Sequence, residues 1–488
     1  MTATLARTVS LVSLGCSKTL VDSEVMLGHL GRAGIELVAD PAESDVVIVN
    51  TCGFIDEARE ESIDTIVRYT EMKKAGLVRG VVVSGCLVEL HARALGEALP
   101  EVDAFLPLSD YSGVPSIVDA VLGDARDDLA GAYGGGASLA DPGRAPPAAP
   151  YRAACSSEVH DRLPGGLRKG EDTDLGRALL TPRHTAYLRL GEGCNHVCAF
   201  CAIPKIRGRL KSKPIDVLVE EADALGRLGV RELTLIAEDS TDYGKDLRAG
   251  YGLAELLEGL GAVDGIDWIR VMYAHPATID ERLVRTMAEV EAVLPYLDMP
   301  IQHGDDALLR AMRRGTSADR IRRVVGWLRE AMPDITLRTT VLVGFPGETR
   351  RRFERLMALL EELRFDRVGC FTYSREEGTE AAALGGTRVS RAEASHRRQE
   401  VLRFQLRLLA DRNRAHVGRT IPVLVDAVDR DAGVAVARGV ADAPEIDGRV
   451  LVEPRAQSAT GSAPMPTPGT MISVRVHGVR GYDLLARP

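Results

Sequence analysis

Short apolar runs alternate with helical patterns twice along this chain, and no other feature constrains its fold as much. From residue 185, "AYLRL", "ELTLIA", "WIRVMYA", "YLDMPI", "TLRTTVLVGF" and "RVGCFTYS" read as strands. Helical stretches such as "DVLVEEADALGRLG" and "RRFERLMALLEELR" lie between them. Strands joined through helices pair in parallel, because the crossover carries the chain back to the same end of the sheet. Six such units predict an incomplete TIM-like (βα)6 barrel within residues 181–412. Residues 8–124 repeat the pattern on a smaller scale: "TVSLVSLGC", "SDVVIVNTC" and "VRGVVVSGC" are each followed by a helical stretch. That predicts a second α/β domain with a parallel, Rossmann-like sheet. The fold class is therefore α/β, multidomain.

The remaining segments read differently. Residues 125–180 are rich in Gly, Ala and Pro ("GAYGGGASLADPGRAPPAAP") and predict a flexible linker. Residues 391–417 predict one long charged helix. Within 413–488, "TIPVLVDAV", "GVAVARG", "GRVLVE" and "MISVRVHGV" read as short strands between turn residues. A small β-barrel is expected there, interrupted by a Pro/Ser/Gly-rich insert at 455–469.

Composition bounds the function. The N-terminus lacks a secretory pattern and no run of 18 apolar residues occurs, so a cytoplasmic protein with no membrane span is expected. Eight cysteines in 488 residues are too sparse for a disulfide scaffold. In a reducing compartment, grouped cysteines point to metal or catalysis. The net charge of −9 argues against direct DNA binding by bulk electrostatics and fits a basic protein partner better.

Three of the cysteines, Cys194, Cys198 and Cys201, form a CxxxCxxC pattern in "GEGCNHVCAFCAIP", just after the first barrel strand. TIM-type barrels place their chemistry at that carboxyl end. A 4Fe–4S cluster has one thiolate per iron, so three cysteines would leave one iron open to a small molecule. A zinc site completed by His196 is the alternative. A second set, Cys16, Cys52 and Cys86, is dispersed in sequence, yet each cysteine ends a strand of the first domain. Parallel strands bring such ends to one sheet edge, so these thiols could cap a second cluster; three buried small cysteines are the bland reading. Cys155 and Cys370 are given no role. At other barrel-strand ends stand Glu238 and Asp239, Gln302 and His303, and "GFPGET". In the last, Gly344 and Gly347 would admit a ligand close to the backbone, and Glu348 could accept from a ribose or amino group. An ordinary turn, and buried, satisfied His275 and His303, are the competing readings.

With six βα units, the CxxxCxxC motif resembles the radical S-adenosylmethionine superfamily, whose open iron chelates S-adenosylmethionine. Two tri-cysteine sets, the first domain and the terminal barrel together resemble the methylthiotransferases. The resemblance implies two 4Fe–4S clusters, S-adenosylmethionine and a C-terminal TRAM barrel; the strand-end residues Glu238, Gly344 and Glu348 are expected to contact that cofactor. It implies a reaction that replaces C–H by C–S–CH3, with an electron donor such as flavodoxin or ferredoxin. "SLGCSKTLVDSE", "NTCGFIDEAREESID", "RLGEGCNHVCAFCAIPKIRG", "LDMPIQH" and "GYDLLA" are similar to the branch that modifies the β-carbon of an aspartate in ribosomal protein S-twelve. A branch acting on tRNA adenosine next to the anticodon is the alternative, and a non-catalytic iron–sulfur electron carrier is a third possibility of another class. Thr19 departs from the branch, which commonly has Asn there; a tuned contact near Cys16 is expected. Residues 419–488 hold eight Arg, no Lys and eight Asp plus Glu, a balance that suits a protein loop better than RNA. The terminal barrel is expected beside the mouth of the larger barrel, with Asp426, Asp429 and Asp431 steering a basic substrate. A chain cut after Arg419 would then still cleave S-adenosylmethionine but lose its substrate.

Overall fold

The computed structural model describes residues 7–53, 55–108, 110–123, 161–162, 173–376, 378–385, 388–454 and 465–488. Cys155, the expected linker at 125–160 and 163–172, and most of the 455–469 insert lie outside the described residues. The chain forms two compact units. One comprises Met1–Thr181, Gly191–Lys213 and Ser374–Leu384; the other comprises Pro182–Leu190, Pro214–Tyr373 and Gly385–Pro488. Among the described residues no helix is long and apolar enough to cross a membrane.

In the first unit, β1 (Thr8–Ser13), β2 (Glu36–Leu37), β3 (Val46–Thr51), β4 (Gly80–Gly85) and β5 (Ala104–Leu106) form a parallel sheet in the order β2-β1-β3-β4-β5. The order reverses between β1 and β3, the kind of switch point at which open α/β sheets take ligands. Every residue of β3 and β4 is buried, as Val-rich strands covered on both faces must be. Val46, Ile48 and Val82 pack with Leu27, Leu30 and Ile117. Their neighbours Val47, Val49 and Val83 pack with Ile66, Leu87 and Val88. The helix Ser17–Arg32 (α1) follows β1, and Cys86–Ala98 (α2) follows β4.

Residues 173–180 depart from the expected linker. Leu175, Arg177, Ala178 and Leu179 are buried, and Ala178 joins the core of the sheet. The Arg177 guanidinium faces the Glu24 carboxylate of α1 at 3.4 Å, and the Leu180 N–H donates to it at 2.8 Å. The averaged composition of the Gly/Ala/Pro window hid this short apolar tail.

In the second unit, β6 (Thr185–Arg189), β7 (Glu232–Ile236), β8 (Trp268–Val271), β9 (Val293–Asp298), β10 (Thr336–Val343) and β11 (Arg367–Thr372) form an open six-stranded sheet. The strands pair in parallel and in sequence order, which is the expected partial barrel. The helix Arg391–His416 leads into a closed barrel of β12 (Thr420–Asp429), β13 (Val434–Gly439), β14 (Val450–Val452), β15 (Met471–Arg480) and β16 (Asp483–Arg487), in the order β12-β13-β14-β16-β15. Small aliphatic side chains such as Val423, Ala435, Val450, Val474 and Ala486 fill it.

The terminal barrel docks on the amino-terminal ends of the larger barrel's strands. Glu232, the first residue of β7, accepts from Arg438 at 2.6 Å and from Arg270 at 3.0 Å. Arg367, the first residue of β11, pairs with Asp442 at 3.0 Å. His184, just before β6, pairs with Asp426 at 2.9 Å. Trp268, the first residue of β8, packs with Leu424 and Ala443. This corrects the expectation that the terminal barrel stands beside the carboxyl-terminal mouth. It also takes Asp426 from the steering groups, since its carboxylate is held by His184 and Arg438. The sequence pattern could not show this, because the partners are isolated charges far apart in the chain.

Candidate functional site

The site begins at the edge of the five-stranded sheet. Cys16 is the N-cap of α1, Cys52 follows β3 directly, and Cys86 opens α2 directly after β4. Since β1, β3 and β4 are neighbours in parallel register, their ends bring the three cysteines to one edge. Gly15 shows how close the approach is. It adopts φ +102°, and a Cβ built on it would lie 2.7 Å from Cys52 Cβ and 3.1 Å from Cys52 Sγ. Only glycine combines that φ with that contact. Ser62 holds Cys52 from both sides, accepting from its N–H at 3.2 Å and donating to its carbonyl at 3.0 Å. Asn50 donates to the Thr19 carbonyl and to Ser23 Oγ, both at 2.9 Å, tying the end of β3 to α1. Thr19, the departure noted in sequence, places its Oγ1 3.7 Å from Cys16 Sγ.

The second set belongs to the same compact unit. The chain leaves the larger barrel after Leu190 and returns at Pro214. Between those points Gly191–Glu192 pair antiparallel with Lys211–Ser212, closing the base of the loop. Inside the loop the Cys194 N–H donates to the Gly208 carbonyl at 3.1 Å, and the Cys201 N–H to the Cys198 carbonyl at 3.0 Å. The His196 N–H points at Cys194 Sγ at 3.4 Å. Cys194, Cys198 and Cys201 line one cavity of about 440 Å³ with His196, Lys205 and Arg209. That volume lies in the ~300–1,000 Å³ range of small-ligand sites. Among the described residues every cysteine is unbridged, so both sets are available as thiolate donors, and three sulfurs on one cavity suit an iron–sulfur cluster.

The two sets are neighbours. Cys86 packs with Ala202 and Ile206, which follow Cys201. Arg207, four residues further than Ile203 in the same short helix-and-turn, reaches Cys86 Sγ at 3.8 Å and the Asp22 carboxylate of α1 at 2.6 Å. Its other nitrogen donates to Glu192 at 2.9 Å. Burial pushes the Cys86 thiol up to about 12, against the opposing pull of Arg207. Arg207, Asp22, Ser62 and Asn50 belong to no motif that the sequence marks as functional. A single arginine six residues past the last cysteine was the one available signal.

At the strand ends of the second unit the picture is more domestic. Glu348 is buried and fully engaged: it accepts from His303 Nε2 at 3.2 Å, from Arg397 at 3.0 Å and from the Gly344 N–H. Gly344 adopts φ +82°, and an added Cβ would lie 2.8 Å from Ala394 Cβ. These two residues therefore shape a turn against the long helix, at the strand end where a cofactor contact is expected of them. His303 Nδ1 accepts from the Asp305 N–H at 2.9 Å, so both ring nitrogens are satisfied within the protein. His275 Nδ1 likewise accepts from the Ala277 N–H at 3.1 Å. Glu238 is half-buried just past the end of β7. Cys370 lies buried in β11, where desolvation pushes its thiol up to about 12, in keeping with a packing role.

The chain is similar to known proteins over nearly its whole length. The profile of the Radical SAM superfamily matches residues 188–360, that of Uncharacterized protein family UPF0004 matches 8–107, and that of the TRAM domain matches 417–488. Ribosomal protein uS12 methylthiotransferase RimO of Anaeromyxobacter sp. (strain K) is 40% identical over 484 residues, covering 99% of this chain and 93% of the relative. The protein of that name from Clostridioides difficile (strain 630) is 36% identical, covering 98% of each. Among solved structures, the radical S-adenosylmethionine methyltransferase TsrM from Kitasatospora setae, with cobalamin and a [4Fe-4S] cluster bound, aligns over 77% of this chain and 74% of its own. Its TM-score is 0.53 and its identity 16%, a likeness of fold.

Proposed function

The chain belongs to the uS12 methylthiotransferase (RimO) family, and from that premise we propose that it adds a methylthio group to the β-carbon of an aspartate in ribosomal protein S-twelve. Membership makes it a radical S-adenosylmethionine transferase that uses a 4Fe–4S cluster, which decides against both the zinc reading and the electron-carrier reading. The observation that carries the proposal is the placement of both cysteine sets in one compact unit, with Cys86 packed against the residue after Cys201. One cluster alone would leave Cys16, Cys52 and Cys86 without a task. We assign a second cluster to them.

When bound, the clusters and S-adenosylmethionine supply the radical, the sulfur and the methyl group. The protein's part is positional. Cys194, Cys198 and Cys201 hold one cluster at the cavity their loop encloses. Gly15, Asn50 and Ser62 set the backbone so that Cys16, Cys52 and Cys86 converge on the other. Glu238, Gly344 and Glu348 are the proposed cofactor contacts at the strand ends. Residues 8–124 serve as the sulfur-cluster domain, 181–412 as the radical core and 413–488 as a TRAM barrel that braces the core from below. A cytoplasmic setting and a small electron donor such as flavodoxin or ferredoxin complete the scheme.

The test is mass spectrometry of ribosomal protein S-twelve and of tRNA from cells with and without the gene. The expected result is one methylthio group on an aspartate of the ribosomal protein, present only with the gene. Methylthio-adenosine in tRNA with an unmodified ribosomal protein would overturn the proposal.

A further inference from the structure

Arg207 is carried by the loop of one cysteine set but spends its side chain on the other. Its Nη2 lies 2.6 Å from Asp22 Oδ2 and 3.8 Å from Cys86 Sγ, while Nη1 lies 2.9 Å from Glu192 Oε2. Asp22 is on α1, the helix that Cys16 caps. Glu192 is at the base of the loop, where it pairs with Lys211 in the closing ladder. The guanidinium is 4% exposed and the Asp22 carboxylate 0% exposed, so neither charge is strongly screened by solvent. A bare structural strut would not need an ionised pair in so dry a place, where desolvation offsets much of the attraction.

We propose that Arg207 is a positioning residue that sets the charge felt by the cluster held through Cys86, so that the loop carrying one cysteine set tunes the reduction potential of the other. The inference rests on the reading of Cys16, Cys52 and Cys86 as cluster ligands. Its physical basis is simple. Adding an electron makes a cluster more negative, so a cation beside a ligand sulfur stabilises the reduced form and an anion destabilises it. Local charge and hydrogen bonds to the sulfurs are among the levers that set such potentials. Arg207 supplies the cation and an N–H directed at Cys86 Sγ. Asp22 both orients that cation and offsets it. Glu192 holds the guanidinium from the loop side, so the arginine moves with the loop.

Electrostatic tuning and mere support predict different signs. Losing Arg207 should make the cluster harder to reduce, whereas losing the Asp22 charge should make it easier. A residue pair that only held the fold together would shift both variants the same way. The experiment uses full-length protein in which Cys194, Cys198 and Cys201 are Ala, so that any remaining cluster is the one at Cys16, Cys52 and Cys86. Dithionite-poised redox titration followed by electron paramagnetic resonance reads the reduced fraction, with iron content measured alongside. Against this parent, R207Q should lower the reduced-to-oxidised ratio at fixed potential about tenfold, equivalent to about 59 mV for one electron. D22N should raise the ratio, and R207K, which keeps the charge, should stay near the parent. Should R207Q lose iron, D22N decides with R207K as its control: a raised ratio in D22N beside an unchanged one in R207K supports the inference, and a lowered or unchanged ratio in D22N overturns it. Shifts of one sign in R207Q and D22N, or ratios unchanged in both with the cluster assembled, would overturn the inference. A parent that binds no cluster would instead sink the ligand assignment on which it stands.

Discussion

Glu232→Gln is the most direct probe of how the terminal barrel serves the core. Glu232 is fully buried and gives one oxygen to each of two arginines, Oε1 to Arg270 at 3.0 Å and Oε2 to Arg438 at 2.6 Å. Removing one partner of a buried pair costs about 3–5 kcal/mol, because the charge left behind is uncompensated. Here the cations keep some support. Arg438 retains both oxygens of Asp426, at 2.8 and 2.9 Å. Arg270 retains the Val440 carbonyl at 2.8 Å and lies 4.6 Å from the centre of the Tyr296 ring. The expected loss is therefore at the lower end, about 3 kcal/mol. Arg438→Met should cost a similar amount, and the double variant less than the sum, with a coupling of about 1–3 kcal/mol. Urea unfolding followed by tryptophan fluorescence reads this, since Trp268 packs against Leu424 and Ala443 at the same contact. A Trp327→Phe background removes the other of the two tryptophans. A Glu232→Gln loss below about 0.5 kcal/mol, the scale of ordinary surface changes, or strict additivity with Arg438→Met, would refute the reasoning. The same contacts revise the truncation experiment. A chain ending at Arg419 loses the partners of Glu232, Arg270 and Arg367 at once, so it should lose core stability together with substrate modification.

Further outcomes follow from the cysteine geometry. Anaerobically reconstituted protein should hold about eight irons, and about four after Cys194, Cys198 and Cys201 are replaced by Ala; saturation at four in the unaltered chain would contradict two clusters. Replacing Cys16, Cys52 and Cys86 should spare reductive cleavage of S-adenosylmethionine, scored as 5′-deoxyadenosine, while abolishing methylthio product. Cys370→Ala should leave the iron content unchanged, since that thiol is enclosed in β11. Burial opposes ionisation of Asp426, but His184 and Arg438 hold its carboxyl below the usual carboxylate range. Its contribution to stability is therefore present above the unfolded value of about 3.9 and lost as pH falls through the lower folded value. Asp426→Asn should remove that acid step from a pH series of unfolding midpoints.

What could be read from sequence was whatever repeats with a period or sits at a strand end. The Val-rich β3 and β4 announce buried parallel strands, and the cysteines directly after them announce an edge, because strand order and direction do most of the geometric work. The two-residue β2, the three-residue β5 and the closing strand β16 carry too little pattern to find, although "GYDLLA", which overlaps β16, is part of the family resemblance. The partners of Glu348 were not legible, because a βα turn looks the same in sequence whatever its carboxylate meets; here His303 and Arg397 hold it. Charged partners distant in the chain were invisible for a deeper reason: a sequence shows which charges exist but not which are desolvated together. Arg207 is the sharpest case. Nothing in "PKIRG" tells that its arginine leaves its own loop to meet Asp22 and Cys86. Yet that single side chain makes physical neighbours of the two cysteine sets. The cysteines stand where strands end and can be found from the sequence; the buried charges beside Cys86 meet only in the fold.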